Sequence, residues 1–131
     1  MPKDSVLEDT IALSSPTSRL HSGCNIAGYE IREVLGVGAH GITYRAYDRK
    51  LKCHVAIREY LPAFCAQREE NGRVRAATIE QEKEFNLGYT NFLNVAKTLC
   101  RLDHDNIVKV VKIFKKFNTI YMVMELSLIH I

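Results

Sequence analysis

The sequence lacks any uninterrupted apolar run near the roughly 18 residues that a membrane-spanning helix requires. Its amino terminus, Met-Pro-Lys-Asp, also lacks the basic and then apolar layout of a secretory signal. These two absences predict a cytoplasmic protein with no membrane segment.

An excess of one charge and paired cysteines are missing as well. The formal net charge is only +3, which is too small to indicate a nucleic-acid partner or an anionic membrane. The four cysteines form no CxxC pair, so we expect reduced thiols. No internal repeat is present.

What remains is the composition of one small folded domain: 131 residues, of which 47% are hydrophobic and 25% charged. Residues 1–27 mix Ser, Thr, Pro, Asp and Gly without a sustained period and are predicted to be a flexible leader. The folded domain is predicted over residues 28–125.

Local patterns predict three strands, one helix and two more strands in that domain. β-branched and aromatic residues favour strands at 29–35, 42–48, 53–58, 107–117 and 120–125. A helix beginning near Ile79 has one apolar face, formed by Phe85, Tyr89, Phe92, Leu93, Ala96, Leu99 and Cys100. The order predicts an α+β fold with a five-stranded antiparallel sheet and one helix.

A glycine motif, GxGxxG, occupies residues 36–41. Dinucleotide-binding folds use this motif where the third glycine opens a helix, whereas here Ile42-Thr43-Tyr44 favours a strand. A glycine hairpin between two strands instead places backbone amides over phosphates. An ordinary hairpin turn and, more remotely, a dinucleotide-dependent oxidoreductase remain alternatives.

Further landmarks follow in order along the chain. They are VAIR at 55–58, LDHDNIV at 102–108 and YMVME at 121–125, with GITY at 41–44 and EYLP at 59–62. Together with the glycine motif they resemble the amino-terminal lobe of bacterial eukaryotic-type serine/threonine protein kinases. The resemblance covers residues 29–125.

The resemblance implies a protein-kinase-like lobe that binds ATP. By this resemblance, the residues expected over the phosphates are those of the glycine turn, Gly36, Gly38, Ala39, His40 and Gly41, and Arg58 is also expected near the phosphates. The residues expected near the adenine are Val37, Thr43 and Ala56. Met124 would be the gatekeeper, and Glu125 would lie at the start of the hinge. Thr43 stands where most kinases have valine. Mg²⁺ is expected only with the second lobe, so no metal site is predicted in this chain.

Two positions depart from the family pattern. Arg58 replaces the lysine that pairs with the phosphates and with a glutamate of the αC helix, and Val95 occupies that glutamate position. Our hypothesis is a pseudokinase or a weakened kinase, with a scaffold that acts through protein partners as the alternative. A working enzyme would need a substitute acid such as Glu59 or Glu84.

The motifs HRD and DFG, which supply the catalytic base and the metal ligands of kinases, do not occur in the chain. The last six residues, LSLIHI at 126–131, resemble a translated sequencing adaptor and are predicted to be non-native. We therefore expect a truncated kinase domain. In that case the residues at the expected hinge amides, Ser127 and Leu128, are not the native ones.

Overall fold

A computed structural model of the chain describes residues 19–102, 104–105 and 107–126. The elements in chain order are β1 Asn25–Ile26, β2 Tyr29–Val37, β3 Gly41–Asp48, β4 Cys53–Tyr60, β5 Ala66–Arg68, β6 Val74–Ala76, a 3₁₀ turn Ile79–Gln81, α1 Glu82–Arg101, β7 Val110–Lys116 and β8 Thr119–Glu125. The predicted α+β fold is confirmed.

The main sheet has six strands rather than the predicted five, in the order β1-β2-β3-β4-β8-β7. The extra strand is β1, which pairs antiparallel with β2 and lies inside the segment expected to be a leader. It is held because Ile26 is buried there. Residues 1–18 of the expected leader lie outside the described residues.

A separate two-stranded hairpin joins β5 to β6. Its turn contains Asn71-Gly72, a dipeptide typical of tight hairpin turns. Gly72 has a φ of +91°, a left-handed conformation that glycine adopts without strain. The Asn71 side chain accepts a hydrogen bond from the Arg73 amide at 2.9 Å, as expected of an Asx-type turn.

Strand β4 lies at the centre of the sheet, between β3 and β8, and its side chains alternate between two faces. Ile57 and Glu59 point into a core that also contains Tyr44 and Tyr121. Arg58 and Tyr60 lie on the other face, against which α1 packs. The two faces of this one strand therefore meet different surroundings.

Helix α1 docks on the sheet through Tyr60. The Tyr60 ring lies 5.3 Å from that of Phe85 and 5.6 Å from that of Phe92, and its hydroxyl donates to the Phe85 carbonyl at 2.8 Å. A Cβ on Gly88 would overlap with the Tyr60 oxygen, so glycine permits this close approach. The predicted apolar face is confirmed by burial of Phe85 and Ala96, except that Cys100 is exposed.

Every strand pairing in the described residues is antiparallel, and Gly41 begins a strand. A dinucleotide-binding fold would require a helix at that glycine and parallel strands. The described residues contain neither feature, so they do not have the fold that a dinucleotide-dependent oxidoreductase requires.

No helix within the described ranges combines the length and the apolar character that crossing a membrane would need.

Candidate functional site

The glycine motif forms the turn between β2 and β3. Val37 pairs with Ile42 and Gly36 with Thr43, and the Gly38 amide donates to the Gly41 carbonyl at 2.8 Å. The motif is thus a β-hairpin, as the sequence predicted. None of its three glycines has a positive φ, so each must be explained by space rather than by backbone conformation.

The three glycines have different surroundings. A Cβ on Gly36 would meet no atom within 4 Å, whereas one on Gly38 would lie 3.8 Å from Nη2 of Arg58. A Cβ on Gly41 would overlap with the carbonyl oxygen of Glu59, at a separation that side chains do not tolerate. Gly41 is therefore required by its contact with β4, while Gly36 leaves open space next to the turn.

Strand register brings several predicted site residues onto one face of the sheet. Partners across the strands form one row, Gly36–Thr43–Arg58–Met122, and a neighbouring row, Arg45–Ala56–Met124. Directly opposed residues share a face, so Thr43, Ala56, Arg58 and Met124 are brought together. Val37 pairs with Ile42 and lies on the opposite face from Thr43.

Arg58 is a half-buried cation under the glycine turn. Its Nη1 donates to the Thr43 hydroxyl oxygen at 3.3 Å, and its Nη2 faces Gly38. No ion pair among the described residues includes Arg58. A guanidinium has five N–H donors, so most of its donors remain for a ligand.

Glu59, one residue further along, is fully buried on the other face. Its carboxylate accepts hydrogen bonds from Tyr44 at 2.8 Å and Tyr121 at 2.5 Å, and it forms an ion pair with Arg68 at 2.6 Å. Tyr44 Oη also accepts a hydrogen bond from the Leu20 amide at 3.0 Å. The Glu59 carboxylate is paired with Arg68 and with the two tyrosine hydroxyls on this face. It therefore cannot be the substitute acid for Arg58, which lies on the other face.

The cluster has strong electrostatic effects on its members. Burial, followed by the Glu59 carboxylate, raises the pKa of Tyr44 and of Tyr121 far above the ordinary value of 10.0. Burial, the largest single influence, lowers the pKa of Arg68, but the Glu59 carboxylate together with Tyr121 and Tyr44 outweighs it, so that pKa is raised. The tyrosines therefore stay neutral donors and Arg68 stays charged. The sequence signal for a buried Glu59 is the alternation of side chains between the two faces of β4, which puts Glu59 on the same face as the core residue Ile57.

Among the described residues, no acidic side chain of helix α1 pairs with Arg58. Val95, at the expected glutamate position, has 55% of its surface exposed. Glu84 lies at the other end of the helix, where its charge contributes to raising the pKa of Tyr60 and of Cys65, after their burial. It forms no ion pair with a described residue. The Thr43 hydroxyl is the one hydrogen-bond partner found for the arginine side chain among these residues.

Other predicted residues lie at the edges of the site. Ala39 and His40 are exposed at the tip of the turn, where the His40 ring packs edge-on against Phe64 at 5.7 Å. The His40 carbonyl accepts a hydrogen bond from the Leu61 amide at 3.1 Å, which ties the tip to the chain after β4. Glu125 ends β8 and is exposed. Ser127 and Leu128 lie outside the described residues.

A depression of about 470 Å³ lies between the start of α1 and the β7–β8 turn. It is lined by Arg73, Lys115 and Lys116 together with Phe85, Tyr89 and Phe117, among others. None of the glycine-turn residues lines it, so it is separate from the site at Arg58.

Comparisons with known proteins give the fold a family. The chain is similar to the bacterial serine/threonine kinase domain PpkA-294 in its apo form, with 32% identity, a TM-score of 0.81 and coverage of 83% of this chain and 39% of that one. It is also similar to a point mutant of the Mycobacterium tuberculosis PknI kinase domain, with 21% identity, a TM-score of 0.56 and coverage of 82% and 36%. No family model and no curated protein matches.

The shared region is one lobe of a larger domain, because this chain spans less than two fifths of either relative. The hairpin, central β4 and α1 are the elements that the sequence motifs assigned to a kinase lobe. The described residues of this chain therefore have the fold of the amino-terminal lobe of bacterial serine/threonine protein kinase domains.

Proposed function

We propose that this lobe binds ATP at the face formed by Thr43, Ala56 and Arg58. The observation that carries the proposal is the half-buried Arg58 guanidinium, which lies next to Gly38 and has no carboxylate partner among the described residues. A cation withdrawn from water without a counter-charge is poised for an anionic ligand.

The surroundings of Arg58 fit a nucleotide. Gly36 leaves space for phosphates to approach the backbone of the turn. Ala56, two residues from Arg58 on the same face, provides a small apolar surface for a flat ring, and Met124 lies beside it in the next strand. Phosphates at Arg58 and adenine towards Met124 would therefore lie along two neighbouring rows. Mg²⁺ would bring additional charge neutralisation at the phosphates, but we assign no metal ligand to this lobe.

Titration of the 131-residue chain with ATP, ADP and adenosine tests the proposal, with thermal shifts measured with and without Mg²⁺. We expect Arg58→Gln to weaken ATP binding by about 1.5–3 kcal/mol, the range for hydrogen bonds to charged groups. Its effect on adenosine should be small, since adenosine has no phosphate.

Arg49→Gln is the matched control. It removes the same charge from an exposed arginine, which pairs with Glu30 at 2.9 Å. Arg49 directly follows β3, at the end of that strand farthest from the glycine turn. We expect it to leave ATP affinity unchanged. Absence of ATP binding by the unaltered chain, or equal losses in the two variants, would contradict a nucleotide site at Arg58.

We further propose that phosphoryl transfer in a protein built on this lobe is weak or absent. Kinases hold αC in its working position through an ion pair with the third-strand lysine, and here that pair would join Arg58 to Val95, which cannot form one. Glu59 is committed to the opposite face. In a gene product carrying both lobes, we expect little autophosphorylation; robust single-turnover transfer would overturn this.

A scaffold that acts through protein partners is the second candidate. The exposed apolar side chains of Leu87 and Val95 on α1 favour it, since such residues are common at interaction surfaces. The nucleotide titrations separate the candidates, because a scaffold of this kind can function without binding ATP.

A further inference from the structure

The feature that the proposed ATP site leaves unexplained is how Arg58 keeps its orientation. A long, flexible side chain loses conformational entropy when it is held in one geometry, so a cation that binds phosphate well is usually held by a partner beforehand. In this chain the helix supplies no such partner among the described residues, because Val95 is apolar and 55% exposed.

Thr43 is placed to take that role. It is the direct cross-strand neighbour of Arg58 in the β3–β4 register, and its hydroxyl accepts a hydrogen bond from Nη1 at 3.3 Å. With Nη1 held by this contact, Nη2 lies beside the glycine turn, 3.8 Å from where a Cβ on Gly38 would be. A valine at position 43 would have nearly the same shape but no acceptor.

We propose that Thr43 is the positioning residue for Arg58, so that the phosphate-binding cation is held by the sheet and not by α1. The proposal rests on the ATP site proposed above. It assigns a function to a residue that the family resemblance placed only near the adenine, at a position where most kinases have valine.

The chemistry of the partner has a consequence for the ligand. A carboxylate that orients an arginine also cancels much of its charge, whereas a neutral hydroxyl orients it and leaves the full charge available. The site is therefore suited to a highly charged nucleoside polyphosphate, and its affinity does not depend on where the helix lies.

The experiment compares ATP and adenosine affinities of the complete chain and its Thr43→Val and Thr43→Ser variants. We expect T43V to lower ATP affinity about tenfold, the effect of losing one hydrogen bond to a charged group. Adenosine affinity should stay level or rise, because valine adds apolar cover. T43S keeps the hydroxyl and should bind ATP within about twofold of the unaltered chain.

Thr98→Val is the matched control, since Thr98 is exposed on α1 and its hydroxyl bonds to the Asn94 carbonyl at 2.9 Å. It should leave both affinities unchanged. If T43V is less stable than the unaltered chain, Thr43→Ala deletes the same hydroxyl without adding a methyl group that could clash. Equal ATP affinities of T43V and the unaltered chain would overturn the proposal.

A second readout does not need a nucleotide. In ¹⁵N NMR spectra, rotation of the Arg58 guanidinium should be slowed in the unaltered chain and in T43S, and fast in T43V. If the unaltered chain failed to bind ATP, the proposed function would fail. The NMR result would then decide alone whether Thr43 orients Arg58, and identical rotation rates in all three proteins would refute it.

Discussion

Arg58 and Glu59 are neighbours on β4, yet their charged groups lie on opposite faces of the strand and differ in how many partners they have. Glu59 is fully buried and meets two tyrosine hydroxyls and the guanidinium of Arg68. Arg58 is half-buried and has one hydroxyl partner among the described residues. One charge is neutralised inside the fold; the other is left available.

The difference fits a structural charge at Glu59 and the proposed ligand-binding charge at Arg58. A buried ion must be compensated completely, because an unpaired charge in the interior costs several kcal/mol. A half-buried ion tolerates an incomplete shell because water can reach it, and water can be displaced by a ligand. We therefore expect changes on the Glu59 face to affect stability and changes on the Arg58 face to affect binding.

The largest effect should come from Glu59→Ala. It leaves Arg68, only 6% exposed, as a buried cation without its carboxylate, so we expect a loss of about 3–5 kcal/mol in the free energy of unfolding. Urea denaturation of the complete chain measures it. Glu33→Ala is the control, since Glu33 is 58% exposed and pairs with Arg45 at 2.6 Å; a surface pair of this kind contributes about 0–1 kcal/mol.

A double variant sharpens this prediction. Glu59→Leu combined with Arg68→Met removes both charges, so no buried ion is left uncompensated, and we expect it to be more stable than Glu59→Ala. Equal stabilities of Glu59→Ala and Glu33→Ala would show that the Glu59 face is not the structural one.

The glycine turn offers the second test, because two of its glycines differ in their contact with β4. Gly41→Ala forces a Cβ against the carbonyl of Glu59, and overpacking of this kind costs about 1–3 kcal/mol. Gly36→Ala meets open space and should change stability by less than about 1 kcal/mol. Thermal denaturation compares the two; a larger loss for Gly36→Ala would mean that the turn is packed differently.

The pH dependence of stability tests the tyrosines of the Glu59 cluster. The pKa of Tyr44 and of Tyr121 is raised in the folded state, so above the ordinary value of 10.0 the unfolded chain releases protons that the folded chain retains. Stability is unaffected by these groups below that pH and falls as pH rises above it. Each can contribute up to about 1.4 kcal/mol per pH unit.

Urea denaturation between about pH 8.5 and 11, a range that brackets the ordinary tyrosine pKa, measures the slope. Tyr44→Phe with Tyr121→Phe should show a shallower decline above about pH 10, although not a flat one, because the pKa of Tyr60 is raised too, chiefly by burial. At lower pH the two proteins should have parallel curves. Identical slopes at high pH would show that the two hydroxyls are not buried against Glu59.

Sequence reasoning captured what depends on local pattern. The hairpin at residues 36–41 and the buried stripe through Phe85 and Ala96 follow from glycine content and periodicity, and both were found. β1 was missed because a two-residue strand carries no periodic signal and is stabilised by its pairing with β2.

For the proposed site, the sequence could suggest positions but not the contacts between them. Motif spacing identified Thr43, Arg58 and Val95, yet it could not show that Thr43 bonds to Arg58, because that contact depends on the β3–β4 register. Glu59 was considered as a partner of Arg58 on adjacency alone, whereas alternation along a strand puts adjacent side chains on opposite faces.

The smallest effect should come from Val95→Glu, which restores an acid at the family position on α1. Val95 is exposed, so stability should change by less than about 0.5 kcal/mol. If Thr43 holds Arg58 along the sheet, the new carboxylate has no preformed partner, and ATP affinity should also stay close to that of the unaltered chain. Leu87→Glu, at another exposed position of α1, controls for the added charge. A large change in ATP affinity in V95E alone would mean that the helix still communicates with Arg58, and the separation of a structural face from a binding face would then need α1 as a third participant.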